Sequence, residues 1–378
     1  MKSKTQMWMR LAALLTVAML VVTACATPAT PPTAVPQPTD APLTKVTLQL
    51  QWFVQSQFAG YYAAKAKGYY EAEGLDVTIK EGAVEIVPQQ VLASGQADFA
   101  VSWVPKVLVS REEGQNLVNI AQVFQRSGTL EVSWKDTGIT SVDDWKGKKV
   151  GTWGFGNEKE VLAAIVQAGM DPNTDVTLVN QPFDMSLLLN REVDTAEAMT
   201  YNEYAQVLEQ INPATGKLYQ PEDLHVIDFN EVGTAMLQDA LWARADWLAD
   251  SAHQETTVKF LRATFKGWVF CRDNFDECVQ IVLDAGPQLG PGHMTWQLNE
   301  INKLIWPSPG GLGIMDKTLW DQTAEVATSQ QVLKAAPSAD AYRTDLAQKA
   351  VDSLKAEGLD VTGANYTPKT VEITEGGN

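Results

Sequence analysis

Histidine and cysteine are scarce in this chain, three of each in 378 residues. His225, His253 and His293 are scattered, and no Cys/His cluster has the spacing of a metal site, so no metal and no cofactor is expected. Positive charge is also short: 29 Lys and Arg stand against 46 Asp and Glu, a formal net charge of −17. An acidic surface of this kind argues against nucleic acid and against peripheral binding to anionic lipid. No Walker motif is present, which excludes an ATPase. Neither a cysteine cluster nor an evident Ser/His/Asp arrangement marks a nucleophile, so no catalytic residue is assigned and the chain reads as a non-enzyme. Beyond the first 25 residues no segment is apolar enough to span a membrane.

The N-terminus carries what the rest lacks. Lys2, Lys4 and Arg10 precede Leu11 to Val22, a small-and-apolar run interrupted only by Thr16. It falls short of the roughly 20 residues of a spanning helix and has the layout of a secretory signal over residues 1–24. Val22-Thr23-Ala24-Cys25 resembles a bacterial lipobox, which implies cleavage before Cys25, a lipid on its sulfur, and a mature chain anchored at the extracytoplasmic face of the cell membrane. Six prolines (Pro28, Pro31, Pro32, Pro36, Pro38 and Pro42) make residues 25–44 an extended tether that buries no core. Loss of the three positive charges of the signal takes the net charge to −20.

From Lys45 the chain reads as globular, and some 330 residues exceed what one core usually supports, so two lobes are expected. Strands at Val46–Leu50, Leu75–Ile79, Asp98–Ser102, Lys149–Gly151, Val176–Val179 and Thr195–Thr200 alternate with helices, the first capped by Ser56 and stopped at Gly68. The alternation predicts an α/β fold with mostly parallel sheets. Long helices follow, at Thr256–Cys271, Phe275–Leu283 and Lys317–Leu333. Lobe 1 is assigned residues 45–130 and 231–335, lobe 2 residues 131–230, and residues 336–378 a C-terminal extension. Ligand is expected where strands end, in the cleft between lobes. Cys271 and Cys278 leave two possibilities open. On one continuous helix they lie about 10 Å apart, too far to bond; a helix stop and restart at Asp273-Asn274 lets the sulfurs meet.

Several separated motifs carry a family likeness. Leu48-Gln49-Leu50-Gln51-Trp52, Phe58-Ala59-Gly60-Tyr61-Tyr62-Ala63-Ala64 and Lys67-Gly68-Tyr69-Tyr70-Glu71-Ala72-Glu73-Gly74-Leu75-Asp76-Val77 come first. Ser94-Gly95-Gln96-Ala97-Asp98-Phe99, Gly151-Thr152-Trp153-Gly154-Phe155-Gly156-Asn157-Glu158 and Ala198-Met199-Thr200-Tyr201-Asn202-Glu203-Tyr204 follow in order. Together they resemble ABC-importer solute-binding lipoproteins of the ThiY/RibY-like family, which bind a thiamine-pyrimidine precursor or riboflavin. The resemblance implies a two-lobed periplasmic-binding-protein-like fold (type II) that closes on a flat heterocycle and delivers it to a permease driven by a cytoplasmic ATPase. Riboflavin is favoured because the opening motif looks nearer the RibY type and abundant aromatic residues suit a tricyclic ring. The pyrimidine precursor is the alternative; a pyrimidine-synthase-like enzyme and a non-transport sensor lipoprotein rank below both.

Candidate ligand contacts follow from chemistry. Trp52, Tyr61, Trp103 and Trp153 offer ring faces for stacking, worth about 0.5–1.5 kcal/mol per aromatic pair beyond burial. Gln57 and Ser102 can hydrogen-bond a ligand edge. Asn157 and Glu158 close a glycine-rich strand-to-helix loop whose acid would repel an anion and so suits a neutral polar solute. Tyr201, Asn202 and Glu203 bring a ring, an amide and a carboxylate to a strand end, able to read a heterocycle with both donors and acceptors.

Overall fold

The computed structural model describes residues 42–83 and 85–378. The signal segment, Cys25 and the tether as far as Ala41 lie outside the described residues.

Strand β1 (Thr44–Gln49) buries Val46 and Leu48, the alternation of a strand against a core. It pairs in parallel with β2 (Leu75–Lys80) and β3 (Phe99–Trp103), with Val46 opposite Val77 and Leu48 opposite Phe99. Two more strands complete the lobe 1 sheet, β4 (Leu117–Gln122) and β12 (Asp239–Arg244), in the order β2-β1-β3-β12-β4. β12 runs antiparallel to both of its neighbours. The lobe 2 sheet comprises β5 (Thr129–Trp134), β6 (Lys149–Thr152), β7 (Thr177–Asn180), β8 (Thr195–Met199) and β11 (Leu224–Asp228), in the order β11-β5-β8-β6-β7. A small hairpin, β9 (Ile211–Asn212) and β10 (Lys217–Leu218), sits apart. Each large sheet is therefore mixed. β5 and β12 are the first strands after the chain changes sheet, between Gln122 and Thr129 and again between Asp228 and Asp239, and both enter antiparallel.

Helices cover both faces of each sheet. In lobe 1 they are α1 (Ala59–Ala66), α2 (Tyr69–Ala72), α3 (Pro88–Ala93) and α4 (Val104–Glu112); in lobe 2, α5 (Lys159–Gln167), α6 (Ser186–Leu189), α7 (Glu203–Leu208) and α8 (Phe229–Val232). The chain then adds α9 (Ser251–Asp273), α10 (Phe275–Ala285), α11 (Pro291–Ile305), α12 (Lys317–Ser329) and α13 (Asp345–Ala356) to lobe 1. The α1–α9 contact depends on two glycines. A Cβ on Gly60 would fall inside the Trp268 ring, and one on Gly267 would strike the Gly60 carbonyl.

Two expectations need correction. Ser56 does not cap α1: it opens a 3₁₀ turn (Ser56–Phe58), and its Oγ donates to the Met294 carbonyl at 2.9 Å, tying the first helix to α11. The sheets are mostly parallel as expected, four of the five strands in each running the same way with β12 or β5 opposed. Residues 336–378 are no appendage, because Leu346, Ala347, Ala350, Val351 and Leu354 of α13 are buried in the lobe 1 core beside Phe260 and Phe265. An amphipathic helix of that kind has its stability from the face it buries.

The open question at Cys271 and Cys278 is answered by the backbone. α9 ends at Asp273, Asn274 leaves the helical region (φ −126°, ψ 58°), and α10 restarts at Phe275. The break brings the two Cα atoms to 5.0 Å and the sulfurs are bonded. Closing so short a loop removes about 2.5 kcal/mol of unfolded-state entropy. Replacing both cysteines by alanine is expected to lower Tm by a few degrees in a thermal melt and to leave the far-ultraviolet circular dichroism unchanged.

Candidate functional site

The cleft lies where strands of both sheets end, as open α/β sheets dictate. β1 runs out into Gln51, Trp52, Gln55 and Gln57, and β3 ends at Trp103. From the other side β6 delivers Trp153 and Asn157, and β8 delivers Met199, Tyr201, Asn202 and Glu203. The space between these residues amounts to about 350 Å³.

Closure is held by bonds from lobe to lobe. Lys106 Nζ, on α4, donates to Asn157 Oδ1 at 2.9 Å. Asn202 Oδ1 accepts from Gln297 Nε2 at 3.2 Å and from His293 Nε2 at 2.8 Å, both on α11. At the rim Trp52 and Phe53 meet the Phe183 ring edge-on, at centroid distances of 4.7 and 5.0 Å.

Buried charge organises the walls. Asp239, the first residue of β12, accepts hydrogen bonds from Gln51 Nε2 (2.7 Å), Trp103 Nε1 (2.8 Å) and Gln57 Nε2 (3.0 Å). Burial pushes its carboxyl up to about 7 against the pull of those donors and of the Lys106 charge. Glu203 accepts from the Met199 N–H at 3.0 Å and from Asn202 Nδ2 at 2.7 Å, and burial likewise raises it to about 7. Lys106 is driven the other way, down to about 8, because burial disfavours its charge more than Glu158 and Asp239 restore it. Beneath the loop after β6, Glu197 accepts from Thr152 Oγ1 at 2.6 Å and from the Trp153 N–H at 3.2 Å, which fixes the start of that loop. Two buried polar atoms of the lining residues have no partner, Gln51 Oε1 from lobe 1 and Trp153 Nε1 from lobe 2. Such atoms are rare in protein interiors, and an unpaired acceptor on one lobe with an unpaired donor on the other suits a ligand that supplies the complement.

Of the residues singled out from sequence, Trp52, Gln57, Trp103, Trp153, Asn157, Tyr201, Asn202 and Glu203 line this space. Tyr61, Ser102 and Glu158 do not. Tyr61 is packed edge-on against Trp268 at 5.6 Å inside the lobe 1 core. Ser102 is buried and donates to Gln89 Oε1 at 3.2 Å, since alternate residues of β3 face opposite sides of the sheet. Glu158 accepts from the Gly156 N–H at 2.8 Å and pairs with Lys159 at 2.9 Å, so its charge is engaged by its own loop and its neighbour. Gln51, Gln55, Met199, Asp239 and Lys106 escaped the sequence reading. Asp239 left a usable signal, an acid heading the apolar strand Ala240-Leu241-Trp242.

Two lobes joined by two crossings around such a cleft define the solute-binding fold used by ABC importers. The chain belongs to the NMT1/THI5-like family, which it matches over residues 55–278. It is 29% identical over 335 residues to the riboflavin-binding protein RibY of Chloroflexus aurantiacus, covering 84% of this chain and 91% of that one. It is 24% identical over 244 residues to the formylaminopyrimidine-binding protein of Halalkalibacterium halodurans, covering 65% and 71%. The solved structure of the alkanesulfonate-binding protein SsuA from Xanthomonas axonopodis pv. citri bound to MOPS superposes with a TM-score of 0.60 at 13% identity, over 80% of this chain and 99% of that one. At that identity the likeness is one of fold.

Asp239, Glu203 and the buried Glu160 each stand near 7 when folded, against an ordinary carboxyl near 4 in the unfolded chain. Folding therefore favours their neutral forms. Their contribution is complete below about pH 4 and is lost as pH rises through 7, on the order of 1–2 kcal/mol for each group between pH 5.5 and 8. Tm is expected to be higher at pH 5.5 than at pH 8.0, and Glu160→Gln to flatten that difference; scanning calorimetry at both pH values checks it.

Proposed function

We propose that this chain is the extracytoplasmic, lipid-anchored receptor of an ABC importer, that it binds riboflavin, and that it catalyses no reaction. The observation that carries the reading is the wall of indoles: Trp52, Trp103 and Trp153 converge on one closed cleft with Tyr201, while amides and buried acids occupy its floor. A flat polar heterocycle satisfies both parts, stacking on rings and pairing at its edge. Supporting this, the RibY relative aligns along nearly its whole length. Neither histidine nor cysteine lines the cleft, which fits binding better than chemistry of the pyrimidine-synthase type. The anchor rests on Cys25 and its lipobox-like sequence. A permease and its ATPase are the partners this role requires.

One observation favours the pyrimidine precursor as a second reading. The space is narrow, and an aminopyrimidine carries donors that Glu203 and Asp239 could meet.

Titrating riboflavin into the chain freed of its first 25 residues, while following flavin fluorescence, tests the choice. Saturable quenching at micromolar concentration or below is expected, with a rise in Tm because ligand binds the folded state alone. Trp153→Ala is expected to weaken binding about tenfold or more, some 1.4 kcal/mol, without loss of fold. Absence of both quenching and thermal shift transfers the assignment to the pyrimidine.

A further inference from the structure

Lobe 1 presents its polar wall through a fan of glutamines, and one carboxylate sets their direction. Gln51 and Gln57 both turn their amide nitrogens to Asp239, at 2.7 and 3.0 Å. Trp103 Nε1, which can only donate, occupies the same carboxylate at 2.8 Å and fixes it as the acceptor. An amide whose nitrogen is engaged has its oxygen as the free end. In Gln51 that oxygen is buried and unpartnered. In Gln57 it accepts from Gln55 Nε2 at 2.7 Å, which leaves the Gln55 oxygen as the next free end along the wall. Gln51 and Gln55 both line the cleft.

We infer that Asp239 is a positioning residue that orients Gln51, Gln57 and Gln55 so that lobe 1 offers hydrogen-bond acceptors, which selects heterocycles carrying an N–H donor on the edge that enters lobe 1. This rests on the cleft being a heterocycle site and adds which edge is read. For a flavin that donor is the imide N3–H; for an aminopyrimidine it is the exocyclic amine. The wall discriminates because a ligand without the donor leaves Gln51 Oε1 buried and unpaired, and sites built on hydrogen bonds reject such ligands far more strongly than apolar pockets reject a methylene.

The test compares riboflavin with 3-methylriboflavin, titrated by flavin fluorescence against the wild type, Asp239→Ala and Gln51→Ala. The wild type is expected to prefer riboflavin by about tenfold or more. Asp239→Ala removes both acceptor oxygens, Oδ1 that holds Gln51 and Trp103 and Oδ2 that holds Gln57, so the amides lose the partner that orients them. Gln51→Ala removes the acceptor and makes room for the methyl group. In both variants the preference is expected to fall to about twofold or less, whatever happens to absolute affinity; a merely structural role would lower both affinities and leave their ratio. Equal wild-type affinities, or a wild-type ratio kept in the variants, overturn the inference. If the wild type binds neither flavin, the riboflavin assignment fails alone. The same comparison is then made by calorimetry with formylaminopyrimidine and its analogue lacking the 4-amino group, where a preference for the amine supports the inference and equal affinity overturns it. Without any ligand, the Gln51 side-chain amide protons should exchange slowly in ¹⁵N spectra of the wild type and fast in Asp239→Ala; equal exchange in the two also overturns it.

Discussion

Asp239 places a carboxylate where water does not reach, at the point where the chain has just returned from lobe 2 to lobe 1. Removing such a charge from water is costly unless donors replace the lost hydration. Four side chains answer that demand: Gln51, Gln57 and Trp103 by hydrogen bonds, and Lys106 by its charge. Each comes from a different place in the sequence or the fold: the loop after β1, the turn before α1, the end of β3 and the start of α4. One buried acid at the start of β12 thus ties together the carboxyl ends of β1 and β3, and the walls of the cleft take their orientation from it. The residue looks like an ordinary strand start in sequence because what it does depends on partners more than 130 positions away.

The lobes meet through side chains that belong to the site itself. Trp153, Met199 and Tyr201 come from lobe 2 yet pack into the lobe 1 core cluster, and Lys106 and Asn157 join across the gap. Such contacts are few compared with the core of either lobe. Where a handful of polar bonds and two aromatic edges join the lobes, a ligand favours closure by what it adds to both walls at once. Polar groups suit that task better than a large apolar seam, since water can satisfy them when the lobes part. The unpartnered Gln51 oxygen and Trp153 N–H sit on opposite lobes, so a ligand satisfying both would bridge them.

Much of the fold was legible in the chain because period and punctuation report local structure. β1, β2, β3, β6, β7 and β8 announced themselves by short apolar runs bounded by glycine or polar residues, and α9 and α10 by their amphipathic spacing. What stayed hidden was long-range. β4, β5, β11 and β12 were not read from the chain, and β5 and β12, each antiparallel to both neighbours, are what make the sheets mixed. The Ser56 hydroxyl prefers a carbonyl 238 positions away to the helix it precedes. At the site, tryptophans at strand ends could be found because topology sends strand ends to the cleft. Glu158 misled because it stands just before the helix rather than in its first turn, and its carboxylate turns back to the Gly156 N–H of its own loop. Gln51 and Gln55 gave no signal, being common and neutral until a buried carboxylate lines them up.

The fold alone does not decide what such a cleft takes. The SsuA likeness shows the same scaffold in a protein named for binding alkanesulfonates, anions that call for positive charge or free backbone N–H groups. Here the balance is the reverse. Two carboxyl groups, Asp239 and Glu203, stand at or behind the wall, and Lys106 is the one cation buried beside them among the described residues, its charge already engaged by Asn157 and faced by acids. The loop that could present backbone N–H groups to an anion gives its Gly156 N–H to Glu158 and its Trp153 N–H to Glu197. An anionic solute entering this cleft would find those two backbone donors occupied. A neutral ring with a donor edge meets acceptors and aromatic faces instead, so specificity here is written in which amide end faces the ligand, over a scaffold that is indifferent to it.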